Sequence, residues 1–282
     1  MKLTVALRVI GGFGIISLLL LIIGTTSYVS LNNISASTAE VNEVSIPALE
    51  QSALMQSGFV VMSKQSLQAF YSTSLEEVSS LRKLFSEEQQ RYGQAAKNLS
   101  AAVQNEATLR RAAETVNEAY SNFTPVTTQL FQQLENNLTL RDNIDSNLSD
   151  LETHADDMAS LILDFTDVRD VQRRFPRSYQ AATAIETGIN TLISNVVDLN
   201  RTTSDTTANT ISNEIAFRLK ELNDQFETIK TETAGQVSLI DDLAEKFAEI
   251  NKLLAGSGSI VELKTRRLQS TAEATALLAS AE

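Results

Sequence analysis

Small and apolar residues recur three and four positions apart through most of this chain, and this spacing limits its fold more than any other feature. Such a repeat places one stripe along the face of an α-helix, and helices that carry such stripes pack side by side in bundles. The 282 residues include only 10 glycines and 3 prolines, so the residues that form tight turns are scarce. The pattern therefore predicts an all-α protein built from long helices.

The composition excludes several classes of function. The chain has no cysteine and a single histidine, which rules out disulfides, thiolate metal sites and cysteine nucleophiles. Lys and Arg number 23 against 35 Asp and Glu, and the resulting net charge of -12 opposes binding to nucleic acid. One histidine on a predicted helix supports no catalytic triad. We therefore predict that the chain is not an enzyme, that it has no catalytic residue, metal or cofactor, and that it does not bind nucleic acid.

The N-terminal region predicts a membrane helix. Residues 9–31 are uncharged and largely apolar, and at 1.5 Å per residue they are long enough for a hydrocarbon core of about 30 Å. A cleaved signal peptide, with Ser35-Ala36-Ser37 at the cleavage site, is the alternative. Its apolar core would span only about 7–15 residues. We therefore expect an uncleaved, single-pass anchor.

The charges around this stretch predict its orientation. Lys2 and Arg8 precede it, and no basic residue follows before Lys64. The positive-inside rule then places residues 1–8 in the cytoplasm and residues 32–282 outside. An acidic, cysteine-free region outside a membrane indicates a bacterial inner-membrane protein with most of its chain in the periplasm.

Interruptions of the stripe divide residues 32–282 into six predicted helices. The interruptions lie at the polar run 71–74, at 104–105, at the turn 166–176, at the polar loop 200–205 and at Gly235. Pairs of stripe residues from the six helices, in chain order, are Met55 and Met62, Phe85 and Leu99, Leu130 and Phe165, Ile185 and Leu199, Ile215 and Ile229, and Phe247 and Leu268.

Pro125 lies inside the third predicted helix. Proline removes one backbone donor and clashes with the preceding turn, so we expect a kink there. The alternative is a full break, with Thr124 as the N-cap and Pro125 as the first helical residue.

Segment 255–259 has the glycine and serine content of a loop, but the 3–4 spacing continues from Leu254 to Val261. A continuous helix requires such continuity, so we predict one long sixth helix with a weak point at Gly256 and Gly258. Its functional interpretation is a compliant joint, for which alanine at both positions would stabilise the fold. Close helix packing at the glycines is the alternative.

The third and sixth predicted helices are the longest, which suggests how six helices pack economically. We predict two four-helix bundles stacked end to end that share these two helices. The near bundle comprises about residues 32–135 and 256–282, and the far bundle about residues 136–255.

The N-terminal anchor, the segment Ser45-Ile46-Pro47-Ala48-Leu49 and the helical region after it resemble bacterial transmembrane chemoreceptors, the methyl-accepting chemotaxis proteins. The six helices are similar to the helical bimodular sensor domains of some chemoreceptors and histidine kinases. The resemblance implies a homodimeric receptor in the lipid bilayer, truncated here before its second membrane helix. Such a receptor binds a small solute or a periplasmic binding protein and passes a helix displacement across the membrane.

Two other functions remain open beside the chemoreceptor. One is the sensor part of a histidine kinase, and the other is a membrane-tethered coiled-coil spacer or adaptor without a ligand. In carboxylate-sensing members of the family, arginines on the first and sixth helices hold the ligand. The corresponding positions here are Ser63, Ser66 and Gly258, so the resemblance implies no dicarboxylate ligand.

A first group of candidate ligand-binding residues lies where polar residues interrupt the apolar stripes, as Ser66 and Lys264 do. A buried polar pocket needs such residues, but a loosely packed, wet bundle would contain them too. The candidates are Ser63, Lys64, Ser66 and Gln68 on the first helix and Lys264 and Arg266 on the sixth.

A second group consists of Arg173, Arg174 and Arg177, at the turn after the third helix. Arginine suits carboxylate or phosphate recognition because its guanidinium forms paired hydrogen bonds. The alternative is that these residues pair with nearby aspartates in solvent, where ion pairs contribute little.

Overall fold

The computed structural model describes residues 21, 23–35, 38, 40–233 and 237–281. Across these ranges the chain is helical and contains no strand, which confirms the all-α prediction. Residues 23–35 are helical, and a π-helical turn occupies Val41–Ser45. The helices that follow are α1 (Ile46–Tyr71), α2 (Leu75–Ala102), α3 (Ala107–Asp167), α4 (Pro176–Arg201), α5 (Asp205–Thr233), α6 (Leu239–Leu254) and α7 (Ile260–Ala281), with one helical turn at Val171–Arg174 before α4.

Several predictions about the N-terminal region and one helix boundary fall outside these ranges. They are residues 1–8, most of the predicted membrane helix at 9–31, part of the alternative cleavage site at 35–37, and the break at Gly235. In the part of the chain that the structure does describe, we find no helix with the length and apolar character needed to cross a membrane.

Contacts divide the chain into two units. Unit 1 comprises Met1–Gln65 and Leu84–Asn122, and unit 2 comprises Ser66–Lys83 and Phe123–Glu282. Helices α1, α2 and α3 each contribute residues to both units, whereas α4 to α7 belong to unit 2.

The core of unit 2 forms where the apolar stripes of α3 to α7 meet. The predicted stripe of α4 is buried throughout, because its residues recur every three or four positions and so point to one side of the helix. Ile185, Leu192, Val196 and Leu199 have no measurable exposure. Side chains from the neighbouring helices complete this core, among them Met158, Phe165, Ile215, Ile229, Phe247 and Ile250.

Helix α3 is continuous from Ala107 to Asp167, with Pro125 inside it. The alternative of a full break at Thr124 is therefore wrong. Thr127 and Thr128 follow the proline and donate their hydroxyl groups to the carbonyls of Phe123 and Thr124, at 3.0 and 2.9 Å. Both side-chain bonds stay within the helix, as is usual for threonine at helical positions.

The predicted sixth helix is interrupted, which corrects the expectation of one continuous helix. Helix α6 ends at Leu254 and α7 begins at Ile260. Between them Gly256 and Gly258 have φ values of 93° and 77°, a left-handed conformation that favours glycine over other residues. Alanine is strained at positive φ, which argues against the expectation that alanine at both positions stabilises the fold.

Local hydrogen bonds explain why the helix restarts after the interruption. The Ser259 hydroxyl accepts the backbone N–H of Glu262 at 3.3 Å, and the Glu262 carboxylate accepts the N–H of Gly258 at 2.6 Å. A serine followed three positions later by glutamate is the sequence pattern of a helix N-terminus, since each side chain satisfies a backbone donor. Helix α7 is thus a separately capped helix.

The chain nevertheless keeps its direction through the interruption. Lys246 of α6 pairs with Asp157 of α3 at 2.7 Å, and the amide of Asn147 donates to the Gly258 carbonyl at 3.1 Å. Farther along, Asn137 donates to the Arg267 carbonyl, also at 3.1 Å. Residue numbers fall on α3 as they rise on α6 and α7, so both helices run antiparallel to α3. Lys264 of the predicted stripe is buried in α7, but the other buried positions lie about one residue off that stripe; they are Ile260, Leu263, Ser270 and Ala274.

Candidate functional site

An open groove of about 610 Å³ lies on unit 1, between α1, the second half of α2 and the first part of α3. Both of its walls follow helical spacing. The α1 wall consists of Ala48, Ser52, Met55, Gln56, Phe59 and Val60, and the α3 wall of Leu109, Ala112, Ala113, Val116, Ala119 and Tyr120. Alanine occupies several of these positions where a bundle core often carries leucine, which leaves space between the helices.

Two stacked tyrosines form one part of the lining. The rings of Tyr92 and Tyr120 are 3.9 Å apart between centroids, with an angle of 15° between their planes. The Tyr120 hydroxyl donates to the backbone carbonyl of Gln89 at 3.4 Å. Burial raises the pKa of the Tyr92 hydroxyl, and the neighbouring Tyr120 raises it further. Both effects keep Tyr92 protonated, so the pair presents neutral aromatic surface.

Few side chains in the groove are polar, and some of its wall residues face solvent. Among the described residues that line it there is no Asp, Glu, Lys, Arg or His, and the polar ones besides the tyrosines are Ser52 and Gln56. Val60 is 60% exposed and Val116 is 48% exposed. Apolar side chains therefore form a continuous, partly exposed surface on unit 1.

Helix α1 approaches α2 closely at Gly58. A Cβ atom at Gly58 would lie 3.1 Å from the Glu88 carboxylate and 3.8 Å from the Tyr92 ring. About two turns earlier on α1, the Asn98 amide of α2 donates to the Gln51 side chain at 3.3 Å. These contacts fix α1 on α2 and thereby fix one wall of the groove.

The structure places the predicted candidates on α7 in different surroundings. Lys264 is buried in unit 2, with 4% exposure, and its ammonium donates to the Asn200 carbonyl at 2.8 Å. Burial, followed by the charge of Arg267, lowers the pKa of Lys264 to about 8. Arg266 is exposed and lies 3.8 Å from the Glu262 carboxylate on its own helix.

The four predicted candidates on α1 divide between the two units. Ser63 and Lys64 belong to unit 1, and Lys64 is exposed. Ser66 and Gln68 belong to unit 2, where Ser66 is buried and Gln68 is exposed. Their role in ligand binding stays a prediction.

The three arginines near the start of α4 are exposed. Arg173 lies 3.4 Å from the Asp170 carboxylate, and the guanidinium of Arg174 lies 5.2 Å from the centre of the Phe175 ring. The backbone N–H of Arg177 donates to the Glu232 carboxylate at 3.4 Å. The Arg173–Asp170 contact agrees with the alternative, in which these arginines pair with nearby aspartates in solvent. A ligand role for the three arginines stays a prediction.

Sequence reasoning did not identify the groove, because its residues carry the spacing expected of a buried stripe. The one available signal was the run of alanines at 112, 113 and 119 beside the tyrosine at 120, which is unusual for a tightly packed helix seam. Within the described ranges no group of His, Asp and Glu is placed to hold a metal ion.

The described residues form long helices, and the groove of unit 1 is apolar. The comparison with known proteins is more specific. Residues 2–167 match the family described as a four-helix bundle sensory module for signal transduction, and the chain belongs to this family. No curated protein and no solved structure matches the chain. A sensing role in signal transduction, the coarser part of the expected function, is thereby confirmed.

Proposed function

We propose that the chain is the extracytoplasmic sensing part of a transmembrane chemotaxis receptor. The observation that carries this proposal is the match of residues 2–167 to a sensory module for signal transduction. In this proposal residues 9–31 are the membrane anchor, residues 32–282 lie in the periplasm, and the receptor is a homodimer that continues into a second membrane helix. The arrangement as two stacked four-helix bundles also stays a prediction.

The signal in this proposal is a small displacement of helices after a solute binds. The length of α3, 61 residues without an interruption, supports this mechanism because a continuous helix is stiff along its axis. The capped start of α7 supports it too, since helices that are separately capped can shift against a neighbour without unwinding.

A thermal-shift screen tests the sensing role. The full chain, purified in detergent, is heated with amino acids, organic acids, amines and uncharged aromatic compounds, together with an unrelated helical membrane protein as the control. A ligand that binds only the folded chain stabilises it by about 2.7 kcal/mol at 100 times its Kd, so its Tm rises.

A rise in Tm that the control protein does not show supports direct sensing. If no compound and no periplasmic extract fraction raises the Tm, the chain is better described as a spacer or adaptor. Fusing the chain to the cytoplasmic part of a known chemoreceptor then tests the output, because the active compound should change the swimming bias of cells that carry the fusion.

A further inference from the structure

We propose that Lys264 and Arg267, near the start of α7, form a binding site for a small oxyanion of the size of phosphate or sulfate. The site itself rests on contacts within unit 2. The role of the ion as a signal rests on the sensing function proposed above, for which the site names a ligand class.

Two positive charges lie close together on α7 without a carboxylate partner. Lys264 and Arg267 are three positions apart and so share one side of the helix. Lys264 is 4% exposed, and Arg267 is half-buried. Neither takes part in an ion pair among the described residues. Buried charges in proteins are normally paired, so this arrangement favours a bound anion.

The guanidinium group of Arg267 has free hydrogen-bond donors. Its backbone carbonyl accepts from Asn137 at 3.1 Å, but its five side-chain N–H groups have no acceptor among the described residues. A guanidinium group binds oxyanions through two parallel hydrogen bonds. The free donors of Arg267 therefore suit phosphate or sulfate.

Lys264 and Asn200 supply further donors. The Lys264 ammonium has three N–H groups, and one of them donates to the Asn200 carbonyl at 2.8 Å. The side-chain oxygen of Asn200 is buried and has no hydrogen-bond partner among the described residues. Rotation of this amide by 180° exchanges the oxygen for an NH2 group, which can donate to an anion. The residue that Lys264 contacts thus offers the ion another donor.

Charges on the neighbouring helix α3 do not neutralise this region. Burial lowers the pKa of Arg267, and the charge of Arg141 lowers it further, while Asp145 and Asp142 act in the opposite direction. Asp142 is already paired with Arg141 at 2.7 Å, and Asp145 is exposed. Because the net pKa of Arg267 is lowered, the two aspartates do not offset burial and the like charge. A bound oxyanion would supply the missing negative charge.

The site suits a compact ion with several oxygens. The burial of Lys264 leaves little room beside its ammonium group, which disfavours a large organic acid. Chloride is compact, but it offers one atom and cannot form the paired hydrogen bonds that a guanidinium group favours. Phosphate and sulfate are small and accept hydrogen bonds from several directions at once.

Equilibrium dialysis with radiolabelled inorganic phosphate tests the site on the full chain, purified in detergent. Binding is measured at pH 7 with sodium chloride holding the ionic strength constant, so that charge screening is the same in every sample. We expect saturation at one phosphate per chain and displacement by sulfate. A direct binding assay is needed because phosphate and sulfate also stabilise proteins by exclusion from their surfaces.

Arg267→Gln and Lys264→Met should each weaken phosphate binding about tenfold or more, because each removes a charged hydrogen-bond donor. Arg266→Gln is the matched control. Arg266 is the next residue on the same helix, but it is exposed and lies 3.8 Å from Glu262, so the control removes an equal charge outside the site. Lys264→Met replaces a buried charge by an apolar side chain, which favours folding, so its loss of binding cannot be assigned to unfolding.

Two results would overturn the proposal. One is the absence of saturable phosphate binding up to about 10 mM, a concentration at which even a weak site is occupied. The other is a Kd that Arg267→Gln and Arg266→Gln change equally. If phosphate does not bind while another compound raises the Tm in the screen, the sensing function stands and only this site fails. Phosphate binding without a change in the swimming bias of the fusion would support the site and count against its role as a signal.

Discussion

The ammonium group of Lys264 donates a hydrogen bond to the backbone carbonyl of Asn200, and the two atoms lie 2.8 Å apart. Asn200 lies in the last turn of α4, where carbonyl groups lack partners within the helix and carry the negative end of its dipole. A lysine from α7 thus caps α4. The side chain of Lys264 is buried, so the cap places a positive charge in the interior of unit 2.

Replacing Lys264 by methionine should stabilise the fold near neutral pH. Burial, followed by the charge of Arg267, lowers the pKa of Lys264 to about 8, whereas an unfolded chain holds lysine near its ordinary value of 10.5. The unfolded chain therefore binds this proton more tightly, and a buried charge replaced by an apolar side chain of similar length gains about 1–3 kcal/mol. Urea unfolding at pH 7 measures the difference.

The pH dependence provides a second test of the same group. Between pH 8 and pH 10.5 the folded chain has lost the proton that the unfolded chain retains, so the wild type gains stability as the pH rises. The advantage of Lys264→Met should shrink over this range. Lys83→Met, at an exposed lysine, is the control and should show no such trend. A loss of stability in Lys264→Met at pH 7 would show that the hydrogen bond outweighs the cost of burial.

Alanine at Gly258 should destabilise the fold by about 1–2 kcal/mol, because an L-residue is strained at positive φ. The φ of Gly258 is 77°, and no atom lies within 4 Å of an added Cβ, so backbone strain rather than a clash is the cause. Gly93→Ala is the matched control: it lies inside α2, also without a neighbour within 4 Å, and should gain up to about 1 kcal/mol. Equal stability of Gly258→Ala and the wild type would contradict the left-handed conformation.

Alanine at Gly188 should destabilise the fold for a different reason, which is steric. The added Cβ would lie 2.6 Å from the Cδ2 atom of Leu222, a residue of the unit 2 core. Overpacking of this kind costs about 1–3 kcal/mol. In a Leu222→Ala background the same change should cost nothing or stabilise the helix. Thermal unfolding of the four proteins in this cycle measures the coupling, and additive effects would exclude the contact.

Glutamine at Glu232 should make the fold less sensitive to acid. Burial raises the pKa of Glu232, but hydrogen bonds from Ser178 and from the backbone N–H of Arg177 outweigh it, and the net pKa is lowered. A carboxylate with a lowered pKa contributes stability above the pKa of the unfolded chain, and this contribution is lost as the pH falls through the folded pKa. The Tm difference between wild type and Glu232→Gln should therefore shrink below about pH 4.5. A constant difference down to pH 3 would exclude this role.

Spacing alone was enough to predict most of the core. The stripes of α3, α4 and α5 were read from positions such as Ile144, Ile185 and Ile229, and all three are buried. This success has a simple cause. Residues three or four positions apart share one side of a helix, so the apolar side of a long helix is also the side that packs against its neighbours. The spacing also continues across Pro125, and α3 is continuous there although the helix propensity of proline alone would predict an end.

The interruption between α6 and α7 was missed because spacing was given more weight than capping. Ser259 and Glu262 form the sequence pattern of a helix N-terminus, and this pattern decides the structure here. The apolar spacing after it differs from the predicted stripe by only about one residue, so spacing alone could not show the interruption. The groove was not predictable in this way. Ala48 and Met55 carry the same spacing as core residues, and a stripe marks the apolar face of a helix without saying which neighbour covers it.

Because segment 255–259 is not helical, the buried face of α7 is not tied to that of α6, and this has a consequence for evolution. An inserted residue inside a helix turns everything after it by about 100°, so in α3 it would carry a buried stripe to the surface. Between Leu254 and Ile260 an extra residue lengthens a loop and leaves the faces of α6 and α7 where they are. Insertions and deletions among natural relatives of this chain should therefore gather at this segment and be rare in α3.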